Sequence, residues 1–177
     1  PTPSAAAGLL LAAIRSDDPV LFFDPKNLFG VTGTVPAEIE PLPFGRARQV
    51  RSGNDLTMVA WSAILPDCET ACETLAAEGI GVELIDLRTL WPWDESAVTA
   101  SVARTGRLLV VHEAVQAAGF GAEVVARTIE CLGPSTVKAA RRLGAPRVPV
   151  PFSPPLEETV KVTAPKIVAA AKAVLGA

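Results

Sequence analysis

The chain has 177 residues, of which 49% are hydrophobic and 20% are charged. Its formal net charge is -3 and its isoelectric point is about 5.2. A disordered chain would be less apolar and more strongly charged, so this composition favours a compact α/β core. It also argues against a nucleic-acid-binding protein, in which basic residues would dominate the charge balance.

No apolar run approaches the roughly 20 residues that a membrane-spanning helix needs. The richest run, Ala5 to Ile14, ends at Arg15 and lacks the basic start of a signal peptide. We therefore expect no membrane association, and a location in the cytoplasm, or in an organelle matrix after processing. The chain opens at Pro1 and its sole methionine is Met58, which indicates processing or a piece of a longer protein.

The first predicted helix runs from Ala5 to Arg15, with Ser4 as its cap. A short apolar strand of the buried kind is predicted over Val20 to Phe23. Residues 24–44 are rich in Pro, Gly and Thr and read as a linker or crossing loop. Because one strand and one helix cannot bury themselves, we expect the apolar surface of residues 5–29 to be exposed or paired with another chain.

A second unit begins near Arg46, where strands alternate with helices. Its predicted strands are 47–51 at an edge, 56–61, 82–87, 108–112 and 137–143, and its predicted helices are 66–78, 94–104, 121–132 and 164–175. This alternation predicts βαβ units and a doubly wound parallel sheet with helices on both faces. Asp94 should favour the helix that it begins.

The helix predicted over 66–78 is amphipathic, with Ala71, Leu75 and Ala76 facing inward and Gly79 as the C-cap. Cys68 and Cys72 lie four residues apart, so they share a face of this helix. A metal site would need further Cys or His ligands, and the only histidine is His112. We therefore interpret the cysteines as buried, inert thiols.

Ligands of doubly wound sheets bind at the carboxyl ends of the strands, which places residues 62–65, 88–93 and 112–120 at the candidate site. His112 and Glu113 are either an acid/base pair or, as we favour, residues that orient a loop or meet a partner subunit. The run Gly119-Phe120-Gly121 could hold an anion, although close packing of helix and strand is the better interpretation.

Two further groups follow the strand predicted over 82–87. Arg88 could clamp a carboxylate or a phosphate, but a structural pair with Asp86 or Asp94 is favoured. Trp91 and Trp93 flank a proline, and they would anchor an interface if exposed or cap the core if buried. The residues alone therefore predict a fold without a complete catalytic constellation.

Five motifs occur in order along the chain: LTMVAW at 56–61, IDLRTLWPWD at 85–94, TGRLLVVHEA at 105–114, GFGAE at 119–123 and PVPFSPPLEE at 149–158. Together they resemble the transketolase-type C-terminal domain of the beta subunit of 2-oxo acid dehydrogenase complexes. GLLLAAIRSDDPVLFFDPK at 8–26 resembles the end of the same subunit's pyrimidine-binding domain. His112 with Glu113 and the WPWD sequence look more like the branched-chain or acetoin-type enzymes than the mitochondrial pyruvate enzyme.

The resemblance implies a three-layer α/β/α fold of the transketolase C-terminal type, with a mostly parallel sheet and one antiparallel edge strand. It also implies three segments: residues 1–34 end a pyrimidine-binding domain, 35–45 form a linker, and 46–177 form the transketolase-type C-terminal domain. The full enzyme would be a heterotetramer of two alpha and two beta chains. It would use thiamine diphosphate and magnesium to decarboxylate a 2-oxo acid and pass the acyl group to lipoyl groups of an acyltransferase core.

In similar enzymes the diphosphate and magnesium site lies on the alpha chain. The activating glutamate and a catalytic histidine belong to the part of the pyrimidine domain that would precede Pro1. The resemblance therefore assigns no catalytic and no cofactor-binding residue to this sequence, and the fragment alone is expected to be inactive.

A structural potassium ion in similar beta chains corresponds here to the carbonyl of Ala13 and to Ser16 and Asp18, with Ser16 in place of an expected acid. Similar chains use this domain for the beta–beta contact and for docking the acyltransferase through acidic residues. Lys138 and Arg147 stand where such acids are common, which argues against docking of the acyltransferase through acids at these two positions. Together with Trp91, Trp93, His112 and Glu113, they are the interface candidates.

Two alternatives remain open at the level of sequence. The chain could be the C-terminal domain of a transketolase or a deoxyxylulose-phosphate synthase, in which all domains share one chain. It could also be a stand-alone α/β interaction module.

Overall fold

The computed structural model describes residues 2–176, which form five strands, six α-helices and two short 3-10 helices. The strands are β1 Arg48–Arg51, β2 Leu56–Ala60, β3 Val82–Asp86, β4 Arg107–Val115 and β5 Ala139–Ala145. The α-helices are α1 Pro3–Arg15, α2 Leu65–Ala77, α3 Glu95–Thr105, α4 Gly121–Leu132, α5 Pro154–Val160 and α6 Ala164–Leu175. The 3-10 helices are Lys26–Leu28 and Ser62–Ile64. Across residues 2–176, no helix has the length and apolar character needed to cross a membrane.

The five strands form one sheet in the order β1-β3-β2-β4-β5. Strands β3, β2, β4 and β5 are parallel, whereas β1 pairs antiparallel with β3 at the edge. The chain leaves β2 toward one side of the sheet and then crosses to β4 on the other side. The strand order therefore reverses between β2 and β4, which is the switch point of a doubly wound sheet. The predicted fold class is confirmed.

Both faces of the sheet are buried, and this explains the continuous apolar runs of its central strands. Every residue of β2 and of β3 is buried. Because side chains alternate along a strand, Met58 and Leu84 pack with α2 and α6, whereas Val59 and Ile85 pack with α3 and α4. The result is three layers, with a hydrophobic cluster on each side of the sheet.

Asp94 caps the start of α3, as predicted, and also binds the backbone just before the edge strand β1. Its carboxylate accepts the N–H groups of Ala97 at 3.1 Å and Ala47 at 3.0 Å. Burial raises the pKa of Asp94, but these bonds and one from the Ser96 hydroxyl outweigh burial and lower it. One carboxylate therefore caps a helix and positions the start of β1.

The segment before residue 46 differs from the prediction in its local structure. Residues Val20 to Phe23 form no strand, and Leu21 and Phe23 are 86% and 82% exposed. A strand needs a neighbour for its backbone hydrogen bonds, and the described sheet offers none here. The large apolar side chains of this segment are exposed on the single chain, in agreement with the expectation that the surface of residues 5–29 is exposed or paired with another chain.

Several element boundaries differ from the predicted ones, most of all the end of β4, which is Val115 instead of residue 112, and one helix was not predicted. Helix α1 is capped by the Thr2 hydroxyl, which accepts the Ala5 N–H at 3.2 Å, and not by Ser4. Strand β5 starts two residues later than expected, because the Val137 N–H still bonds to the turn carbonyl of Gly133. Helix α5 was not predicted, although its opening prolines fit the first turn of a helix.

Helix α2 buries Cys68 and Cys72, together with Ala71 and Leu75, whereas the predicted inward position of Ala76 is wrong because Ala76 is exposed. Burial raises the pKa of the Cys72 thiol to about 11 and that of Cys68 well above its usual range. These two thiols are therefore protonated at neutral pH, as the interpretation as inert core residues requires. Cys131 is exposed, so the expectation of burial is wrong for this residue.

A buried hydroxyl cluster links the sheet to α3. The Thr57 hydroxyl lies 2.7 Å from that of Ser101 and 2.8 Å from that of Thr105. All three side chains are buried, so each hydroxyl must find its partner within the protein. The cluster fixes the position of α3 on the strand that lies at the centre of the sheet.

We expect Thr57→Val to lower the free energy of unfolding by about 1 to 3 kcal/mol, because it leaves buried hydroxyls without a partner. Chemical denaturation would measure this. Thr70→Val on the exposed face of α2 is the matched control, since the Thr70 hydroxyl bonds only to the carbonyl of Pro66, at 3.1 Å. Its expected change is within about 0.5 kcal/mol, and equal losses in the two variants would contradict a role for the cluster.

Candidate functional site

The loops after β2, β3 and β4 meet at the carboxyl edge of the sheet, and each contains a residue in the left-handed backbone region. These residues are Ser62 with φ 61°, Arg88 with φ 61° and Ala118 with φ 60°. For side chains other than glycine this conformation costs about 1 kcal/mol or more. Such strain collects at functional sites, and ligands of doubly wound sheets bind at this edge. The carboxyl edge is therefore the candidate site.

His112 lies in the core of this edge and is completely buried. Its ring stacks on the Trp61 indole, with centroids 5.4 Å apart and planes 19° from parallel. Phe120 packs edge-on against Trp61 at 5.9 Å and against Trp93 at 6.4 Å. An aromatic group thus joins the ends of β2 and β4 to the loops after β3 and β4.

Three glycines allow the backbone to approach the His112 ring. An added Cβ would lie 2.7 Å from the ring at Gly119, 2.8 Å at Gly121 and 2.6 Å at Gly144. Carbon atoms in contact normally stay about 3.5 to 4.0 Å apart, so no side chain fits at these positions. For Gly119 and Gly121 the structure supports the close-packing interpretation. No motif in the sequence indicated that Gly144 would join this contact.

The hydrogen bonds of His112 define its tautomer. Its Nδ1 lies 2.9 Å from the carbonyl oxygen of Ala114, which can only accept, so Nδ1 carries the proton. Its Nε2 is buried and has no hydrogen-bond partner in the described residues. Burial lowers the pKa of His112, the bond to Ala114 opposes this, and the nearby Arg142 lowers the pKa further. A neutral ring that orients the loop after β4 fits these contacts better than a proton carrier does.

Arg88 and Asp86 form part of a structural charge cluster at the end of β3. The Arg88 N–H donates to Asp86 Oδ1 at 3.1 Å, and the Arg48 guanidinium lies 3.6 Å from Asp86 Oδ2. Burial lowers the pKa of Arg88, while Asp86 raises it. The bond to Asp86 is made by the backbone of Arg88, and the buried Nε of its side chain has no hydrogen-bond partner in the described residues. The pairing of the Arg88 side chain with Asp86 therefore stays a prediction, whereas Asp94 is engaged at the start of α3.

The two tryptophans of the loop after β3 occupy different environments. Trp91 is 82% exposed, whereas Trp93 is 7% exposed and packs in the cluster between the sheet and α3. Trp91 thus has the exposure expected of an interface anchor, whereas Trp93 is buried as expected of a residue that caps the core. The structure places Trp93 and His112 inside the core, and the interface role of the exposed Trp91 stays a prediction.

Glu113 lines a cavity of about 370 Å³ at the switch point, together with Asp67 and Glu157. Burial raises the pKa of Glu113, and the Asp67 carboxylate raises it further. The one lysine of this lining, Lys161, is within 3.3 Å of Glu157. The cavity is acidic, so it disfavours an anionic ligand.

Lys138 and Arg147 lie at opposite edges of the sheet. Lys138 directly precedes β5, where its N–H donates to the Gly106 carbonyl at 2.8 Å, and Arg147 follows the carboxyl end of the same strand. A strand of seven residues separates them by roughly 23 Å. The interface role of each stays a prediction.

The residues predicted to hold potassium form a tight turn after α1. The Ser16 N–H donates to the Ala13 carbonyl at 3.3 Å, and the Ser16 hydroxyl accepts the Asp18 N–H at 3.2 Å. The Ala13 carbonyl and the Ser16 hydroxyl therefore both accept hydrogen bonds within the turn. A potassium site here stays a prediction.

The fold and the motifs of the carboxyl edge define a domain of the transketolase type. Residues 45–167 match the family model described as transketolase, C-terminal domain, and the chain belongs to this family. A solved split-gene transketolase, described as an inactive beta4 tetramer, has a TM-score of 0.68 and 28% identity. That alignment covers 77% of this chain and 44% of the other.

Curated relatives include beta subunits of two kinds of enzyme. The beta subunit of acetoin:2,6-dichlorophenolindophenol oxidoreductase from Cupriavidus necator is 40% identical over 171 residues, covering 97% of this chain and 51% of the relative. The mitochondrial 2-oxoisovalerate dehydrogenase subunit beta 2 of Arabidopsis thaliana is 47% identical over 130 residues, covering 73% and 36%. The chain thus spans about half the length, or less, of these relatives.

We expect the stability of the chain to fall as the pH drops below about 6.5, the ordinary pKa of histidine. In this range the unfolded chain protonates His112 while the folded chain keeps it neutral, so acid favours unfolding until the lowered pKa is passed. The loss can reach about 1.4 kcal/mol per pH unit. Denaturation of the wild type and His112→Asn between pH 5 and pH 8 would measure it, and identical pH slopes would contradict a neutral buried ring.

We expect Gly121→Ala to destabilise the fold by about 1 to 3 kcal/mol, because the added methyl group meets the His112 ring. The cost should disappear in the His112→Ala background, where the ring is absent. Gly30→Ala is the control, since an added Cβ there meets nothing within 4 Å. An unchanged cost in the His112→Ala background would show that the ring is not the obstacle.

Proposed function

We propose that the chain is the C-terminal part of the beta subunit of a thiamine-diphosphate-dependent 2-oxo acid dehydrogenase. In this role it supports oxidative decarboxylation and acyl transfer to lipoyl groups, and its own contribution is structural rather than catalytic. The observation that carries the proposal is the 40% identity to the Cupriavidus necator beta subunit over 97% of this chain. The 28% identity to the split-gene transketolase makes the transketolase alternative less well supported.

We propose three segments within the chain: residues 1–34 as the end of a pyrimidine-binding domain, 35–45 as a linker, and 46–177 as the transketolase-type C-terminal domain. Pro1 and Ala177 lie outside the described residues. The match of the family model to residues 45–167 supports the last boundary. The exposed Leu21 and Phe23 support the first, because an apolar segment of this kind would be covered by the rest of its own domain.

The described residues do not fit thiamine diphosphate and magnesium by themselves. Residues 2–176 place no group of three or more His, Cys, Asp or Glu side chains to hold a metal ion. The two buried carboxylates that these residues contain are engaged, Glu83 with Arg104 and Asp86 with Arg48. The acidic lining of the cavity at Glu113 would repel a diphosphate. We therefore assign no catalytic step to this chain.

The proposed partners are an alpha subunit and a second beta subunit, in a heterotetramer that serves an acyltransferase core. Exposed Trp91, with its rigid apolar surface, is suited to one of these interfaces. The proposed location is the cytoplasm of a bacterium, or an organelle matrix if the source is eukaryotic.

We expect the chain alone to decarboxylate no 2-oxo acid and to show no magnesium-dependent binding of thiamine diphosphate in calorimetry. The reason is that the groups that hold and activate this cofactor would come from other segments and subunits. Decarboxylation by the chain alone, or a binding heat that requires magnesium, would contradict the structural role.

A chimera would test whether this chain can replace the C-terminal half of a beta subunit. This chain would replace the matching C-terminal half of the Cupriavidus necator beta subunit, and the chimera would be purified with the matching alpha subunit. We expect an assembled complex that retains measurable reduction of dichlorophenolindophenol with acetoin. The same beta subunit truncated before the replaced half is the control and should be inactive. Failure of a folded chimera to assemble with the alpha subunit would count against the proposal.

A further inference from the structure

A second cavity, of about 470 Å³, lies at the carboxyl edge on the outer side of β4 and differs in charge from the one at Glu113. It is lined by Gln116, Ala117, Arg142, Gly144, Ala145, Pro146 and Arg147. The lining thus contains two arginines and no carboxylate. Its volume is within the range of small-molecule sites in proteins.

The backbone geometry of β4 and β5 explains why a cavity exists here. The register between these strands shifts between Val111 and Val115, which pair with Leu143 and Ala145, so β4 contains extra residues at this point. Gly144 lies opposite this shift, where an added Cβ would be 2.8 Å from the Ala114 carbonyl oxygen and 3.0 Å from Gln116 Cα. Glycine at position 144 therefore allows close packing of β5 on the end of β4, and the cavity lining includes this residue together with Arg142 and Arg147.

Hydrogen-bond donors at this cavity are only partly used. The Gly144 N–H makes a long contact, 3.4 Å, to Gln116 Oε1. Arg142 donates one Nη1 bond to the Gln116 carbonyl at 2.9 Å, which holds its guanidinium in place. A guanidinium carries five N–H donors, so most of those of Arg142 remain available for a ligand.

The positive charge at this cavity has no neutralising partner in the described part of the chain. Ion pairs are formed by Arg48, Arg104 and Arg127, but not by Arg142 or Arg147. Like charges that share a cavity repel each other, and an anion between them would remove this cost. Guanidinium groups match the planar, two-oxygen geometry of carboxylates and phosphates.

We propose that this cavity is a binding site for a small molecule, which it holds through a phosphate or carboxylate group. Arg142 and Arg147 bind the anionic oxygens, and the Gly144 N–H completes the set of donors. The rest of the ligand lies over Ala117 and Pro146. The site is independent of the proposed enzyme function, since it requires no other subunit.

Titration of the 177-residue chain with inorganic phosphate, pyrophosphate and citrate, in magnesium-free buffer at constant ionic strength, tests the proposal. The readout is the amide chemical shifts of Gly144, Ala145 and Ala117. We expect saturable shifts confined to this cavity for at least one of these anions, with dissociation constants in the millimolar range or below. Binding of phosphate would indicate a phosphate-bearing ligand, and binding of citrate would indicate a carboxylate-bearing one. No saturable shift with any of the three anions would overturn the proposal.

Matched variants identify the residues responsible. Arg147→Met, on an exposed loop, should weaken anion binding about tenfold without affecting folding. Arg142→Lys keeps the charge but loses the planar fork, and it should weaken binding less than Arg142→Met does. Arg141→Met is the control, because adjacent residues of a strand point to opposite faces, and it should leave binding unchanged. Equal affinities in Arg147→Met, Arg142→Met and the wild type would refute the site.

Discussion

The contact between the His112 ring and three glycine backbones determines how the carboxyl edge of the sheet is held. Gly119 and Gly121 bring the start of α4 onto the ring, and Gly144 brings β5 onto it. Because Trp61 stacks on the ring, the same contact reaches the loop after β2. One buried, neutral imidazole thus joins elements that are separated along the chain. An acid/base catalyst would need contact with its substrate, and a ring enclosed in this way has none.

Much of the fold was predictable because local physical signals agree with the tertiary structure. The apolar runs of β2 and β3 indicate strands buried on both faces, and the structure buries every residue of them. Asp94 indicates a helix start through its carboxylate, and α3 begins directly after it. In each case the signal lies within a few residues of the feature, so no knowledge of the rest of the molecule is needed.

The failures occur where structure depends on distant residues. Val20 to Phe23 has the composition of a buried strand, but a strand forms only beside another strand, and the described sheet supplies none there. The sequence likewise identifies His112 and Gly119–Phe120–Gly121 as one group through their proximity. Gly144, 32 positions after His112, enters the same contact only because β5 pairs with β4. Pairing of this kind leaves no trace in a short sequence motif.

The carboxyl edge carries two opposite electrostatic environments on either side of Ala145, which lines both cavities. Asp67, Glu113 and Glu157 make the cavity at the switch point acidic, whereas Arg142 and Arg147 make the outer one basic. In many doubly wound proteins the switch point binds anionic cofactors, but the carboxylates oppose that use here. The positive charge of the carboxyl edge lies one strand outward, at the end of β5, where the cavity lining contains Arg142 and Arg147 and no carboxylate. A domain can thus keep the architecture of a cofactor-binding sheet while its charges direct any ligand to a different strand.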